Sequence, residues 1–473
     1  MMGTQAHQPK KEGDISSVFV SLSGADRPPL PDRFRQIKNS LIAGREDRVV
    51  ASWNRLLDEL RRENQIIKSK GSAVIPTVEF KDLESEIERV RPEIKKRGAA
   101  VIRGVVPEAE ARGYKDEVEE YMKKNPSTRA FPPHDPQVYE LYWSEPQLKA
   151  RAHPNLLQTQ KLLMEALWTT STPDAEISMS QPLSYADRLR IRQPGDATFA
   201  LGPHIDGGSV ERWEPDGYGR GGVYDRVFSG NWESYDPWDA APRLSAVADL
   251  YNGAGACSMF RMFQGWLSMS HSGALEGTLL VNPLLKPATS YVLLRPFFRP
   301  VREEAGAEGF LAPENWEFAG ADMNSELQGA TPGHCQELND AIHPHLELEK
   351  TMVHVPDVNP GDFVVWHCDT IHAVDKVHAG TSDSSVLYIP VCPTTEANVQ
   401  YLARQRAAFE DGTPGPDFPG GKGESEHVDR PGPDFVKGKA GRRAMGFERL
   451  VPLGGEQPGA KAAIERANGI LGF

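Results

Sequence analysis

One heptapeptide constrains this chain more than any other stretch: Gly202-Pro203-His204-Ile205-Asp206-Gly207-Gly208. It follows an apolar run at 197–201 that is typical of a β-strand. Because side chains alternate along a strand, His204 and Asp206 face the same side and can reach one metal ion. The paired glycines after them let the backbone approach an ion or ligand closely. The motif therefore predicts a strand that ends at a metal site.

The spacing of this pair is not specific by itself. With 13 histidines and 66 acidic residues in 473 positions, chance yields about two His-x-Asp/Glu triplets. The chain has four, at His204/Asp206, His345/Glu347, His367/Asp369 and His427/Asp429. The second and fourth lie in charged or Gly/Pro-rich stretches typical of solvated surface, so the strand context favours the first.

A third ligand is predicted near residue 372. The turn at 359–362 precedes an apolar strand at 363–366, and His367 and His372 follow it. His372 begins a new apolar stretch and can face His204 and Asp206. His367 is predicted to support His372 by a hydrogen bond or to pack in the core. Two imidazoles and one carboxylate form the set that leaves positions open on iron for oxygen and substrate.

Composition narrows the remaining function classes. The net charge of −13 argues against a nucleic-acid or anionic-membrane surface. No run approaches eighteen apolar residues, and the polar start at 1–14 lacks a signal-peptide core, so we expect a soluble protein. Four cysteines without paired spacing suit a reducing compartment, and we expect the cytoplasm.

Periodicity and composition divide the chain into four parts. We expect a loose N-terminal arm over 1–28 and a helical segment over 29–98 that packs on the core. The core is predicted over 99–394, with insertions at 211–239 and 300–350, and a helical and loop extension over 395–473. The C-terminal helices can pack on the core or on a second copy, so a homo-oligomer stays an open expectation.

The first insertion leaves the metal motif directly and is rich in aromatic residues. A loop of this length inside a compact domain is usually a lid or a binding loop. We therefore expect Trp213, Trp232, Trp238 and Arg212 to contact a small-molecule substrate. Tryptophans that pack the loop onto its own core would give the same pattern.

Taken with the strand at 99–103, the two metal motifs resemble the phytanoyl-CoA hydroxylase type of Fe(II)/2-oxoglutarate oxygenase. A closer resemblance, over about 35–470, is to the YbiU-like family, a domain of unknown function within that superfamily. It is carried by four motifs: Tyr142-Trp143-Ser144, Asn231-Trp232-Glu233-Ser234-Tyr235-Asp236-Pro237-Trp238-Asp239, Phe263-Gln264-Gly265-Trp266 and Leu294-Arg295-Pro296-Phe297-Phe298.

The resemblance implies a mainly β, α+β fold with a double-stranded β-helix, or jelly-roll, core of the cupin kind and helices outside it. It implies Fe(II) held by His204, Asp206 and His372, with 2-oxoglutarate and O2 as co-substrates and hydroxylation or a related oxidation of a small molecule.

The sequence departs from its relatives where they hold the distal carboxylate of 2-oxoglutarate. They commonly use an arginine on the last core strand, but 379–393 contains neither Arg nor Lys. Our first choice for this role is Arg261 beside Gln264, because a charge within an apolar run needs a partner. Arg261 in a structural ion pair is an equal alternative. Arg192 and Lys376 are further cation candidates, and Ser384, Ser385 and Tyr388 are hydroxyl candidates.

Two other function classes stay open. The missing arginine favours a cupin-type metal enzyme that does not use 2-oxoglutarate, such as an iron oxygenase, hydrolase or isomerase. A non-catalytic barrel that binds a ligand is the third class, and the intact ligand set argues against it.

Overall fold

The computed structural model describes residues 10–24, 27–302, 308–418 and 420–473. Its α-helices are Val20–Ser23 (α1), Arg33–Ile42 (α2), Glu46–Lys70 (α3), Leu83–Arg97 (α4), Glu108–Lys124 (α5), Glu145–Arg151 (α6), Pro154–Leu167 (α7), Asp225–Phe228 (α8), Leu285–Leu294 (α9), Leu348–Thr351 (α10), Glu396–Asp411 (α11), Lys439–Ala444 (α12) and Pro458–Leu471 (α13).

The strands are short and spread along the whole chain. They are Thr77–Glu79 (β1), Ala99–Arg103 (β2), Ala130–Phe131 (β3), Val138–Tyr139 (β4), Ser178–Leu183 (β5), Leu189–Arg192 (β6), His204–Ile205 (β7), Phe263–Ser268 (β8), Leu279–Val281 (β9), Phe298–Pro300 (β10), Trp316–Phe318 (β11), Gln336–Glu337 (β12), Val353–His354 (β13), Phe363–His367 (β14), His372–Val374 (β15), Ser384–Tyr388 (β16) and Cys392–Thr394 (β17).

Two sheets dominate the architecture. The larger has the order β1-β2-β14-β8-β16-β6-β4-β3, and the smaller has the order β12-β7-β15-β9-β13. All neighbouring pairs in both sheets are antiparallel except β1 and β2. The facing surfaces of the two sheets share one hydrophobic cluster, so the space between them is the main core.

Strand β14 shows how the sequence builds this core. Val364 and Trp366 point between the sheets, whereas Phe363 and Val365 point outward to a second cluster under the helices. Because successive side chains alternate, a strand covered on both faces must be apolar throughout, which explains its unbroken apolar run.

Helices cover the outer face of the larger sheet. Leu83 and Ile94 of α4, Val118 of α5 and Leu163 of α7 belong to the outer cluster. On the other side, Trp53 of α3 stacks on Phe298, with ring centroids 4.3 Å apart. Helices α11 and α13 form a third cluster at the C-terminal end. The chain is therefore a mixed α/β protein rather than the mainly β protein expected, because helices cover both sides of the paired sheets.

Two sequence predictions fail in detail. Residues 10–24, expected to belong to a loose arm, fold into a 3-10 helix over Ile15–Val18 and the short helix α1, and both Ile15 and Phe19 are buried. Residues 1–9 of the predicted arm lie outside the described residues. The apolar run 256–270, whose composition predicts a buried strand throughout, forms a strand only from Phe263 to Ser268, because a turn with a bond from Ala256 N–H to the Gly253 carbonyl precedes it.

Candidate metal centre

The two histidines lie on adjacent antiparallel strands of the smaller sheet. His204 of β7 and His372 of β15 are direct partners in the strand register. Their ring centroids are 4.1 Å apart. Asp206 follows β7 directly, and the left-handed backbone of Gly207 and Gly208 turns the chain sharply behind it. At Gly208 a side chain would collide with the carbonyl of Ala248, so glycine is required there.

The geometry of these three residues fits one metal ion. Asp206 Oδ1 lies 3.7 Å from His204 Nε2, and Asp206 Oδ2 lies 3.8 Å from His372 Nε2. Two ligand atoms that each stand about 2.1 Å from an ion are about 3 to 4 Å apart. All three ligand atoms lie within 4.8 Å of one another. The structure therefore brings the three predicted ligands together.

The outer nitrogens of both rings are engaged by backbone carbonyls. His204 Nδ1 lies 2.8 Å from the Gly202 carbonyl oxygen, and His372 Nδ1 lies 3.0 Å from that of Thr370. A carbonyl can only accept, so we assign the ring proton to Nδ1 in each case. This tautomer leaves the Nε2 lone pairs directed at Asp206, which is the arrangement that ligating histidines commonly show.

The electrostatics favour the metal-binding forms of these groups. Burial and the neighbouring His204 lower the pKa of His372 to about 3, so that its imidazole is neutral. Burial opposes ionisation of Asp206, but His204, His372 and Arg261 lower its pKa below the ordinary value. Neutral imidazoles and an ionised carboxylate are the forms that bind a metal.

Gln264 and Arg212 hold Asp206 in place. In the orientation that pairs donors with acceptors, the Gln264 amide nitrogen donates to Asp206 Oδ2 at 2.8 Å, and its oxygen accepts from Trp366 Nε1 at 3.3 Å. The Arg212 guanidinium donates to the carbonyls of Asp206, at 2.8 Å, and Gly208. Arg212, expected to contact substrate, is instead a fully buried support of the metal loop.

A cavity of about 110 Å³ opens from the three ligands into the space between the sheets. Its walls are largely apolar and aromatic, and Trp266, Trp366, Tyr185 and Tyr388 provide most of the rings. Ile15, Val18 and Phe19 also line the cavity, and the Phe19 ring meets the His204 ring edge to face at 4.8 Å.

Two arginine side chains line the same cavity. The Arg261 guanidinium lies 3.8 Å from Asp206 Oδ2 and 6.0 Å from the Tyr185 ring centroid. Within the described residues it forms no hydrogen bond, so its donors are available to a ligand. Arg188 Nε donates to Asp187 Oδ1 at 3.1 Å, and its guanidinium lies over the Phe418 ring at 4.7 Å.

Three other candidates for the co-substrate are not at the cavity. Arg192 is buried in an ion pair with Asp196 and donates to the carbonyls of Asp375 and Lys376. The Lys376 side chain is exposed to solvent. The Ser385 hydroxyl donates to Asp383 on the far side of the strand. These three predictions are wrong, because Asp196 engages Arg192 on β6, and because β16 and the segment after β15 turn Ser385 and Lys376 away from the metal. The hydroxyl of Ser384, another candidate, donates to the Gly277 carbonyl, whereas Tyr388 lines the cavity.

The tryptophans of the 211–239 segment are also elsewhere. Trp213 Nε1 donates to the Leu293 carbonyl, and Trp238 Nε1 donates to the Lys95 carbonyl. Trp232 is 8% exposed within the main hydrophobic cluster. The segment packs Trp213 against α9 and Trp238 against α4 rather than over the metal, and their contact with a substrate stays a prediction.

His367 packs in the core. Its ring stacks on Trp168 at 4.8 Å, Nε2 bonds to the Pro237 carbonyl at 3.0 Å, and Nδ1 accepts from Asp369 N–H. With both ring nitrogens engaged, it neither supports His372 nor binds a metal with its neighbours. His345, expected on the surface, is likewise buried and bonds to the Tyr291 hydroxyl at 3.1 Å.

Sequence reasoning missed several residues of the cavity. Arg188 shares a strand face with Arg190 and Arg192, so the alternation of basic residues at 185–192 was a usable signal. The contribution of Ile15, Val18 and Phe19 had no signal, because a short segment far from the metal motifs carries no periodicity.

Fold and site together define a two-sheet α/β protein with a buried His-Asp-His cluster at the mouth of an internal cavity. A model of the Gig2-like family matches residues 28–447. The chain therefore belongs to the Gig2-like family, and the resemblance to YbiU-like proteins is confirmed.

Its relatives cover nearly all of it. The uncharacterized protein YbiU of Escherichia coli K12 is 33% identical over 402 residues, which is 81% of this chain and 89% of YbiU. The crystal structure of GlcNAc inducible gene 2 from Candida albicans is 32% identical with a TM-score of 0.84, covering 95% of this chain and 96% of that one. A Salmonella typhimurium LT2 protein provisionally described as an oxidoreductase is 30% identical with a TM-score of 0.74, covering 89% and 99% of the two chains.

Proposed function

We propose that this protein is a non-haem Fe(II)- and 2-oxoglutarate-dependent oxygenase that oxidises a small molecule and releases succinate and CO2. The observation that carries the proposal is the cluster of His204, Asp206 and His372, whose Nε2 and carboxylate oxygens converge at the mouth of a cavity. The same cavity contains the Arg261 guanidinium, which forms no hydrogen bond within the described residues. Two imidazoles and one carboxylate leave coordination positions for a keto acid and oxygen.

The sheet arrangement supports this class. Residues of β8, β14 and β16 of the larger sheet share one hydrophobic cluster with residues of β7, β9, β13 and β15 of the smaller one. Two facing antiparallel layers of strands that carry the metal ligands fit a jelly-roll core, which we propose for this chain.

The residues have separate proposed roles. His204, Asp206 and His372 would hold iron, and Gln264 and Arg212 position Asp206. When bound, iron supplies the oxidising chemistry by using O2 and 2-oxoglutarate. Arg261 would take the distal carboxylate of 2-oxoglutarate, since its guanidinium faces the cavity without a hydrogen-bond acceptor among the described residues. Tyr388 lines the same cavity, and its hydroxyl is a further donor for that carboxylate.

A second candidate is a cupin-type metal enzyme that does not use 2-oxoglutarate. It is favoured by β16, which carries no cation on the strand where relatives place their arginine. The metal cluster fits both candidates, so the co-substrate is the point to test.

The test is an anaerobic Fe(II) titration with and without 2-oxoglutarate. We expect the weak visible charge-transfer band of an iron and keto-acid chelate in the wild type and no band in His372→Ala. The matched control is His427→Ala, because His427 is half-buried and remote from the metal, bonding to the Tyr121 hydroxyl. Iron binding without the band in the wild type would refute the use of 2-oxoglutarate and favour the second candidate.

A second variant tests whether Arg261 binds the distal carboxylate of 2-oxoglutarate. Arg261→Leu removes the guanidinium but no metal ligand, and we expect it to weaken 2-oxoglutarate binding by about tenfold or more, since a charge-assisted pair is lost. Unchanged affinity would refute the role of Arg261 and favour Arg188.

We propose the cytoplasm as the location. Cys257, Cys335, Cys368 and Cys392 are all free thiols, which suits a reducing compartment. Among the described residues, none of the helices is sufficiently long and apolar to span a bilayer.

A further inference from the structure

The cavity is too small for two molecules at once. Its volume is about 110 Å³, whereas an apolar cavity of about 150 Å³ holds one benzene. 2-Oxoglutarate has more non-hydrogen atoms than benzene. The cavity therefore cannot hold 2-oxoglutarate and a second molecule together, and a wall must move before both can bind beside the metal.

One wall of the cavity is the N-terminal segment 10–23, which we name the strap. Its Ile15, Val18 and Phe19 side chains line the cavity. The walls formed by β7, β8, β14, β15 and β16 are held by sheet hydrogen bonds, but the strap forms only a 3-10 turn and one turn of α-helix. Elements with few backbone bonds open at low free energy.

Polar contacts hold the strap down at several points, and two of them are the Glu12 pair with Arg129 and the Ser21 N–H bond to Glu337 Oε2 at 3.2 Å. The Val18 carbonyl accepts from Cys335 N–H at 2.9 Å. The buried Lys10 ammonium pairs with Asp249 and donates to the carbonyls of Gly253, at 3.0 Å, and Ala256, at 2.7 Å. The side chains of Val18 and Phe19, which line the cavity beside the metal ligands, make apolar contacts that an apolar ligand can replace.

The cavity has no net charge when Fe(II) and 2-oxoglutarate are bound in it. The lining side chains with a fixed charge are Asp187, Asp206, Arg188 and Arg261, which sum to zero. Burial raises the pKa of Cys257 to about 11, so that this thiol adds no charge near neutral pH. Fe(II) and the 2-oxoglutarate dianion cancel each other. A charged substrate would thus leave one uncompensated charge in a buried site, which is costly.

We propose that the substrate binds where Val18 and Phe19 now lie, by displacing the strap, and that it is a molecule without net charge that presents an apolar face. This inference rests on the proposed function. It assigns the strap to the substrate position and leaves the co-substrate position to the arginine side of the cavity.

The test uses three probes that share the benzyl group of Phe19: 2-phenylethanol, phenylacetate and phenethylamine. Each is titrated anaerobically into the full-length protein loaded with Fe(II) and 2-oxoglutarate, and binding is followed by the change in the chelate band. Hydrogen exchange of residues 10–23 is measured in parallel. We expect 2-phenylethanol to bind at least about tenfold more tightly than either charged probe, and to raise the exchange of the strap.

Three variants sharpen the result. Phe19→Ala removes the ring to be displaced, so we expect about tenfold tighter binding of 2-phenylethanol and unchanged affinity for 2-oxoglutarate. Asp187→Asn leaves the loaded cavity with one positive charge, so phenylacetate should become the preferred probe. The control is Leu22→Ala, since Leu22 packs on the core from the same strap but does not line the cavity; its probe affinities should match the wild type.

The outcomes are separable. A normal chelate band with tighter binding of a charged probe to the wild type, or with no gain on Phe19→Ala, overturns this inference alone. Failure of 2-phenylethanol to bind Phe19→Ala also overturns it. Absence of the chelate band before any probe is added overturns the proposed function, and this inference with it.

Discussion

Replacing Arg212 with methionine tests whether one buried guanidinium positions the metal-binding carboxylate. Arg212 donates to the backbone carbonyls of Asp206 and Gly208 and lies 4.0 Å from Asp369, three residues before His372. It therefore joins the backbone segments that carry two different metal ligands. Methionine retains much of the apolar volume but provides no donor.

The structure gives the size of the expected effect. Two carbonyls lose this donor, and each buried acceptor left unpaired costs about 1–3 kcal/mol, so we expect the free energy of unfolding to fall by about 2–6 kcal/mol. Groups that orient a ligand typically change metal affinity by about 10–100-fold, and we expect a loss in that range for Fe(II). Chemical denaturation of the metal-free protein and anaerobic Fe(II) titration measure the two effects separately.

Arg295→Met is the matched control. Arg295 is also a buried arginine, and it donates to the carbonyls of Ile342, at 3.0 Å, and Phe298, at 2.7 Å, without contacting the metal loop. We expect a similar loss of stability and an unchanged affinity for Fe(II). Equal Fe(II) affinities of the two folded variants would refute the positioning role of Arg212.

Three further predictions follow from single contacts. Gln264→Leu removes the donor to Asp206 Oδ2, so Fe(II) affinity measured by titration should fall about tenfold, and an unchanged affinity contradicts the assigned amide orientation. Trp53→Ala empties a fully buried site and should cost about 3–5 kcal/mol of unfolding free energy in denaturant, whereas a smaller metal affinity in the folded variant would show that α3 acts on the site. Burial lowers the pKa of His343 to about 3, so the folded protein binds fewer protons than the unfolded chain between about pH 6.5 and pH 3. The wild type should therefore lose stability relative to His343→Phe as the pH falls through this window, by up to about 1.4 kcal/mol per pH unit, and parallel denaturation curves at all pH values would contradict this.

The metal cluster was within reach of sequence reasoning because local rules determine it. The two-residue spacing of His204 and Asp206 places both on one side of an extended chain, whatever the rest of the fold does. Strand β14 was equally predictable from the sequence, since a strand buried on both faces must be apolar throughout. His372 then followed from the need for a third ligand beyond that strand.

The walls of the cavity depended on tertiary structure. Whether a side chain such as Arg261 or Arg192 faces a ligand or an internal ion pair depends on which residues from distant segments pack beside it. Asp196 engages Arg192, and no described residue accepts a hydrogen bond from Arg261. Neither fact follows from strand alternation.

The same reason explains the aromatic residues and the strap. Trp213 and Trp238 lie in a segment with the composition of a lid, but both rings are buried in the core. There their indole N–H groups donate to the carbonyls of Leu293 and Lys95, which are distant in sequence. Phe19 has no local pattern and reaches His204 only because its strap packs across the chain. The sequence by itself determined the identity of the metal ligands, through spacing and chemistry; only long-range packing decided what surrounds them.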